Sequence, residues 1–180
     1  MYGKFYTGIG SRETPPEIMG LMETYANQLQ SLGYFLRSGG ANGADTAFEN
    51  GAGKKKQIYL PWKGFNGRKS KRYDITDEAL ELAEQLHPYW VNLKNGAKKL
   101  MARNCYQVLG EDLETPSEFV ICWTSDGCET HKDRKNKTGG TGQAISLANL
   151  AEIKVYNLAN QESIKELDRF LESLVNYTLR

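Results

Sequence analysis

The chain is poor in the residues that build covalent or metal-held scaffolds. Its three cysteines, Cys105, Cys122 and Cys128, are an odd number without framework spacing, which excludes a disulfide-stapled fold and suits a reducing compartment. Only two histidines are present, His87 and His131, too few for a histidine-rich metal site. No apolar run approaches the roughly 18 residues of a membrane span, and the opening MYGKFYTGIG has no secretory pattern. A cytoplasmic protein without a membrane partner is therefore expected. An excess of one charge is missing too. Lysine and arginine total 23 against 22 acidic residues, so no global field directs the molecule to nucleic acid or lipid. What remains, 39% hydrophobic and 25% charged residues over 180 positions, is enough to bury a core in a single domain spanning 1–180.

Strand and helix patterns alternate along the chain. Lys4 to Ile9 reads as a strand running into Gly10; Pro15-Pro16-Glu17 opens a helix with apolar residues at Ile18, Leu21, Met22, Tyr25 and Leu29, stopped by Gly33. A second strand, Tyr34–Arg37, leads into SGGANGAD and a short helix from Asp45 to Ala52. Gln57–Leu60 is a third strand, and 62–73 reads as a basic loop without period. Thr76 caps a helix reaching Leu86, and another covers Gly96–Leu109. Phe119–Trp123 is the most apolar strand. A polar stretch, a helix over Gln143–Ala151, a strand over Ile153–Leu158 and an amphipathic helix through Leu174 complete the chain. Such alternation predicts an α/β, Rossmann-like three-layer domain with a mostly parallel sheet of about five strands, because parallel strands need helical crossovers.

Three glycine turns fall at strand ends or just ahead of a helix: Gly8-Ile9-Gly10-Ser11-Arg12, Ser38-Gly39-Gly40, and Gly139-Gly140-Thr141-Gly142 within KTGGTGQAIS. In parallel sheets ligands bind beyond the C-terminal strand ends, where strand order reverses. Gly139 to Gly142 predicts a phosphate seat at a helix N-terminus, with Thr138 and Thr141 as hydroxyl donors. Arg12 can reach a phosphate or stack on a base. Asp45 is either a helix cap or a cleft carboxylate, and Glu49 stands four residues on, on the same helix face.

GIGSR, SGGANGADTAFENGA, MARNCYQVLG and TGGTGQAI, in that order, resemble the SLOG superfamily over about Tyr6 to Asn157. That Rossmann-like group includes the "lonely guy" phosphoribohydrolases, DNA-processing protein A and nucleotide-sensing domains of bacterial defence effectors. The resemblance implies a nucleotide or nucleotide-derived small molecule held by Gly10, Ser11, Arg12, Ser38, Gly39, Gly40, Arg103, Gly139, Gly140, Thr141 and Gly142. It also implies a homodimer, a possible role in phage or bacterial defence signalling, and no cofactor. Arg103 matches the phosphoribohydrolase arginine. Thr138 stands where those enzymes have proline, Gln143 where they have threonine, and Ile145 and Ser146 where they have glutamates. If the N-glycosidic bond is cleaved, Asp45 or Glu49 must guide the water; otherwise the ligand is sequestered or sensed.

Two further constellations stand apart. Cys122, Cys128 and His131 are close in sequence, but the cysteine spacing is wide and lacks a second ligand pair, so no metal is expected. Lys54–Lys56, Arg68–Arg72 and Lys132–Lys137 are basic runs, the second flanked by Trp62, Phe65 and Tyr73. They support an alternative reading, single-stranded DNA binding of the DNA-processing protein A type, or they surround a multiply phosphorylated small ligand.

Overall fold

A computed structural model describes residues 3–178. Five strands, β1 (Lys4–Gly10), β2 (Tyr34–Ser38), β3 (Lys56–Ile58), β4 (Phe119–Trp123) and β5 (Lys154–Asn157), form one sheet in the order β3-β2-β1-β4-β5. Every pairing is parallel. The helices are α1 (Pro16–Ser31), α2 (Ala44–Gly51), α3 (Asp77–Leu86), α4 (Asn95–Leu109), α5 (Thr141–Leu150) and α6 (Gln161–Thr178). The expected Rossmann-like α/β architecture is thus present.

Side chains of a strand alternate between faces, and the core divides accordingly. Tyr6, Leu36, Phe119, Ile121 and Tyr156 point to one side, where they meet α1, α2 and α6 through Leu29, Phe48 and Leu167. Ile9, Val120, Cys122 and Val155 point to the other, against α3, α4 and α5 through Ala83, Cys105 and Ile145. Burial on both faces is why Phe119–Trp123 reads as a continuous apolar run rather than an alternating one.

Boundaries shift in two informative places. β3 ends at Ile58 rather than Leu60, because Tyr59 bridges to Arg72 and the Leu60 amide bonds the Arg72 carbonyl at 2.7 Å. The 62–73 loop contains a 3-10 turn at Phe65–Gly67, against which Trp62 packs edge-on with ring centroids 5.2 Å apart. Helix α5 begins at Thr141 rather than Gln143, so two residues of the glycine run are its first turn.

The connections β1–α1–β2–α2–β3 build outward in one direction. The chain then returns through α3 and α4 to place β4 on the other flank of β1. Strand order therefore reverses between β1 and β4, and the register pairs their ends, Gly10 with Trp123. This junction is where a crevice opens.

Helices α1 and α2 approach closely at Gly51, where an added Cβ would overlap the Glu23 carbonyl oxygen, whereas a Cβ at Gly20 of α1 would meet no atom within 4 Å. We predict opposite outcomes in chemical denaturation. Gly51→Ala should cost about 1–3 kcal/mol through overpacking, and Gly20→Ala should add about 0.5–1 kcal/mol through helix propensity. Equal effects from the two variants would contradict this packing.

Candidate functional site

A cleft of about 400 Å³ lies at the β1/β4 junction. Its walls come from four segments: Gly10, Ser11 and Arg12 after β1; Ala41 and Asp45 at the start of α2; Met101, Arg103 and Asn104 on α4; and Lys137 to Thr141 ahead of and into α5. Thr124 and Ser125, just beyond β4, close the base.

Each wall is tied to its neighbours. The Ser11 amide bonds the Trp123 carbonyl at 3.2 Å, and the Ser11 carbonyl accepts from Ala44 at 3.3 Å. These bonds bring the ends of β1, β4 and α2 to one place. Asn157, fully buried at the end of β5, donates to Thr124 Oγ1 at 2.7 Å and to the Cys128 carbonyl at 2.8 Å. Thr138 Oγ1 donates to Asp126 Oδ2 at 2.7 Å, so the two halves of the 124–139 segment are joined across the cleft rim. Its hydroxyl proton is spent there rather than offered to a ligand. These bonds tie the 124–139 segment to the end of β5 and to itself at the cleft rim.

At the back of the cleft Arg103 and Asp45 form a buried ion pair, Nη1 to Oδ2 at 3.5 Å, with side chains 6% and 2% exposed. The same Oδ2 accepts from the Ala41 amide at 3.2 Å. Burial pushes the Asp45 carboxyl above its ordinary value, while Arg103 and the Ala41 and Gly39 amides pull it back by smaller amounts. The guanidinium, intrinsically far above neutral pH, stays charged. Satisfaction is incomplete. Asp45 Oδ1, Arg103 Nε and Asn104 Oδ1 are buried without a hydrogen-bond partner, although Asn104 Nδ2 donates to the Gly140 carbonyl at 3.1 Å. Orphaned buried polar atoms are rare, each costing about 1–3 kcal/mol. Here three belong to cleft-lining residues.

The sequence-expected residues divide three ways. Gly10, Ser11, Arg12, Asp45, Arg103, Gly139, Gly140 and Thr141 share the cleft. Ser38, Gly39 and Gly40 stand behind it: Ser38 Oγ donates to the Gly8 carbonyl at 2.7 Å, and a Cβ on Gly39 would overlap Arg103 Nη1. What approaches Gly39 is the protein's own arginine. Gly142 is similar, since a Cβ there would lie 2.7 Å from Arg134 Nε. Glu49 is turned away, 3.4 Å from both Lys56 Nζ and Arg68 Nη1. One helical turn carries it about 5.4 Å along α2 from the cleft end, into reach of β3 and the 62–73 loop. Glu49 is thus not among the residues that line the cleft.

Asn104, Thr124 and Ser125 carry no sequence signal of their own, and Lys137 is marked only as the end of a basic run. Position alone marks the middle pair, because they follow the core strand at the reversal of strand order. Among the described residues no group of three or more histidine, cysteine or acidic side chains can hold a metal. Cys122 lies within β4, and His131 Nδ1 sits 2.8 Å from Ser146 Oγ. The basic runs are partly consumed internally: Lys56 and Arg68 by Glu49, and Arg72 by Glu111. No helix is long and apolar enough to cross a membrane among the described residues.

No family model matches the chain, and no curated protein matches it. Among solved structures it is similar to DNA processing protein A from Helicobacter pylori, described for its single-stranded DNA binding mode, with 16% identity and a TM-score of 0.44 over 97% of this chain and 81% of that one.

Removing one member of the buried pair strands the other. Arg103→Met should destabilise the protein by about 3–5 kcal/mol at neutral pH, and the Arg103→Met/Asp45→Leu double variant should recover most of that loss. Without Arg103 the folded-state carboxyl rises further above its ordinary 3.8. The stability deficit of Arg103→Met should then shrink as pH falls toward that value, because a raised carboxyl favours the folded state only where it is protonated. Denaturation across the acid range checks this, and a pH-independent deficit would contradict it.

Proposed function

We propose that the cleft binds a nucleotide or nucleotide-derived small molecule, and that the chain acts as a single domain serving this site. The observation that carries the reading is that three cleft-lining residues, Asp45, Arg103 and Asn104, each keep a buried polar atom without a partner, Oδ1, Nε and Oδ1 respectively, in a cleft that also takes in the N-terminus of α5. Two of those atoms are acceptors, so the matching ligand groups are donors, as ribose hydroxyls are. At that N-terminus, the first turn of α5 closes through Gly142 onto Gly139 and Gln143 onto Gly140. The Gly140 and Thr141 amides are left in the position of orphan first-turn donors suited to an anion. Arg12 and Lys137, both exposed on the cleft walls, add charge for phosphate. The resemblance to the SLOG superfamily points to the same ligand class.

Binding without turnover is the form of this reading that the side chains favour. Asp45 is the one carboxylate deep in the cleft, and its Oδ2 is engaged by Arg103 and the Ala41 amide, which leaves that oxygen unavailable to orient a water. The consumption of Lys56, Arg68 and Arg72 in ion pairs speaks for a small ligand over an extended strand.

Calorimetric titration with ribonucleoside 5′-monophosphates tests the reading, with mass spectrometry of molecules released on denaturation run beside it. Asp45→Asn and Lys137→Glu should each weaken binding about 10–100-fold, the loss of one charge-assisted contact. Free base appearing in the titration cell would convert the reading to hydrolysis. Binding confined to oligonucleotides, with an affinity falling steeply as salt rises, would replace it with single-strand recognition.

A further inference from the structure

A second cavity, of about 750 Å³, adjoins the cleft between the C-terminal end of α3 and the 131–139 segment. Gly139 lines both. Its φ is +67°, and a Cβ there would meet nothing within 4 Å. Whereas Gly39 and Gly142 are filled from inside the fold, Gly139 is bare backbone between two spaces. A ligand passing there meets backbone where any other residue would place a Cβ.

The chemistry of the second cavity is one-sided. His87, His131, Arg134 and Lys135 line it, and no carboxylate does. Arg134 is held in place: its Nη1 donates to the Leu86 carbonyl at 3.0 Å and to Ser146 Oγ at 3.2 Å, and its Nη2 to Gln143 Oε1 at 3.3 Å. That fixes a positive charge in the wall. Both histidines use Nδ1 locally. His87 Nδ1 accepts from the Tyr89 amide at 3.2 Å, which assigns the proton of the neutral ring to Nε2. Ser146 Oγ accepts from Arg134 Nη1 and stands 2.8 Å from His131 Nδ1, which holds the His131 ring against the same wall. Burial and the Arg134 charge lower the His87 pKa, so this ring binds as a neutral donor. Tyr89 lines the same space with its ring 54% exposed, a surface on which a base can stack. A fixed donor, a guanidinium, an ammonium and an open aromatic ring together match a phosphate and a planar base. Each of the two volumes falls in the range of small-ligand sites.

We propose that this cavity is a subsite for the second unit of a dinucleotide-type ligand, whose first unit fills the cleft and whose linkage crosses Gly139. The proposal rests on the nucleotide reading of the cleft. Titration of the full chain with ribonucleoside 5′-monophosphates, the corresponding 5′-phosphorylated dinucleotides and longer oligonucleotides separates the two. Dinucleotides should bind at least about tenfold more tightly than monophosphates, with no further gain from a third unit. Tyr89→Ala and Lys135→Glu, both at exposed positions, should erase that gain and leave monophosphate affinity unchanged. Monophosphate binding with no dinucleotide advantage, or an advantage that survives both variants, overturns the second subsite and leaves the cleft standing. Affinity that climbs steadily with oligonucleotide length also overturns it, in favour of an open groove. No binding of any of these ligands overturns both readings.

Discussion

The buried pair between Arg103 and Asp45 is the constraint on which the rest of the site depends. Two charges taken out of water at 3.5 Å recover little net energy, since desolvation offsets their attraction. Their value is positional. Asp45 sits in the first turn of α2, and Arg103 lies in the second half of α4; the two helices cover opposite faces of the sheet. The pair meets at the strand ends between them, so it ties the start of α2 to the second half of α4 beside β1 and β4. Gly39 must lack a side chain for the guanidinium to reach that point, and Asp45 must hold the Ala41 amide for the loop after β2 to fold back. One glycine, one acid and one arginine thereby set the rear of the cleft.

This arrangement explains which parts of the fold were legible in the sequence. Strands buried on both faces announce themselves by composition, and β4 is found where its apolar run lies. Helices with a cap or a proline are equally plain: Thr76 accepts from the Ala79 amide, and Pro16 stands at the start of α1. Loop geometry is different, because it is decided by partners far apart in the chain. Nothing local to Tyr59 predicts that Arg72 will shorten β3. Nothing local to Gly142 reveals that Arg134 fills the space beside it. Glu49 shows the same limit, since helical spacing put it with Asp45 while Lys56 and Arg68 decided where its carboxylate rests.

Three glycine turns drew attention to one edge of the sheet, and two of them, after β1 and ahead of α5, line one cleft there. The glycines answer to different neighbours. Gly39 answers to the buried Arg103 and Gly142 to the half-buried Arg134, and their role is structural packing next to the site. Gly139 is the exception, since a Cβ there would meet no atom within 4 Å. A glycine therefore signals close approach without telling from which side the approach comes, and only the neighbouring atoms decide. The distinction matters for function, because a residue cleared from within contributes to a ligand site through what it lets in, here a guanidinium, and not through its own backbone.

The electrostatics of the two cavities follow from the same economy of charge. A chain with nearly equal acids and bases has no global field to draw an anion, so any anion site must be made locally. Glu49 neutralises its basic neighbours on one flank, and Asp45 meets Arg103 in the rear of the cleft. Arg12, Lys137, Lys135 and Arg134 have no such acidic partner among the ion pairs of the described residues, and all four line one or other of the adjoining cavities. Local positive charge thus gathers along the path from the cleft across Gly139, while the acceptors of Asp45 and Asn104 remain at its inner end. The proposed ligand matches this polarity by carrying hydroxyl donors at one terminus and phosphate along its length.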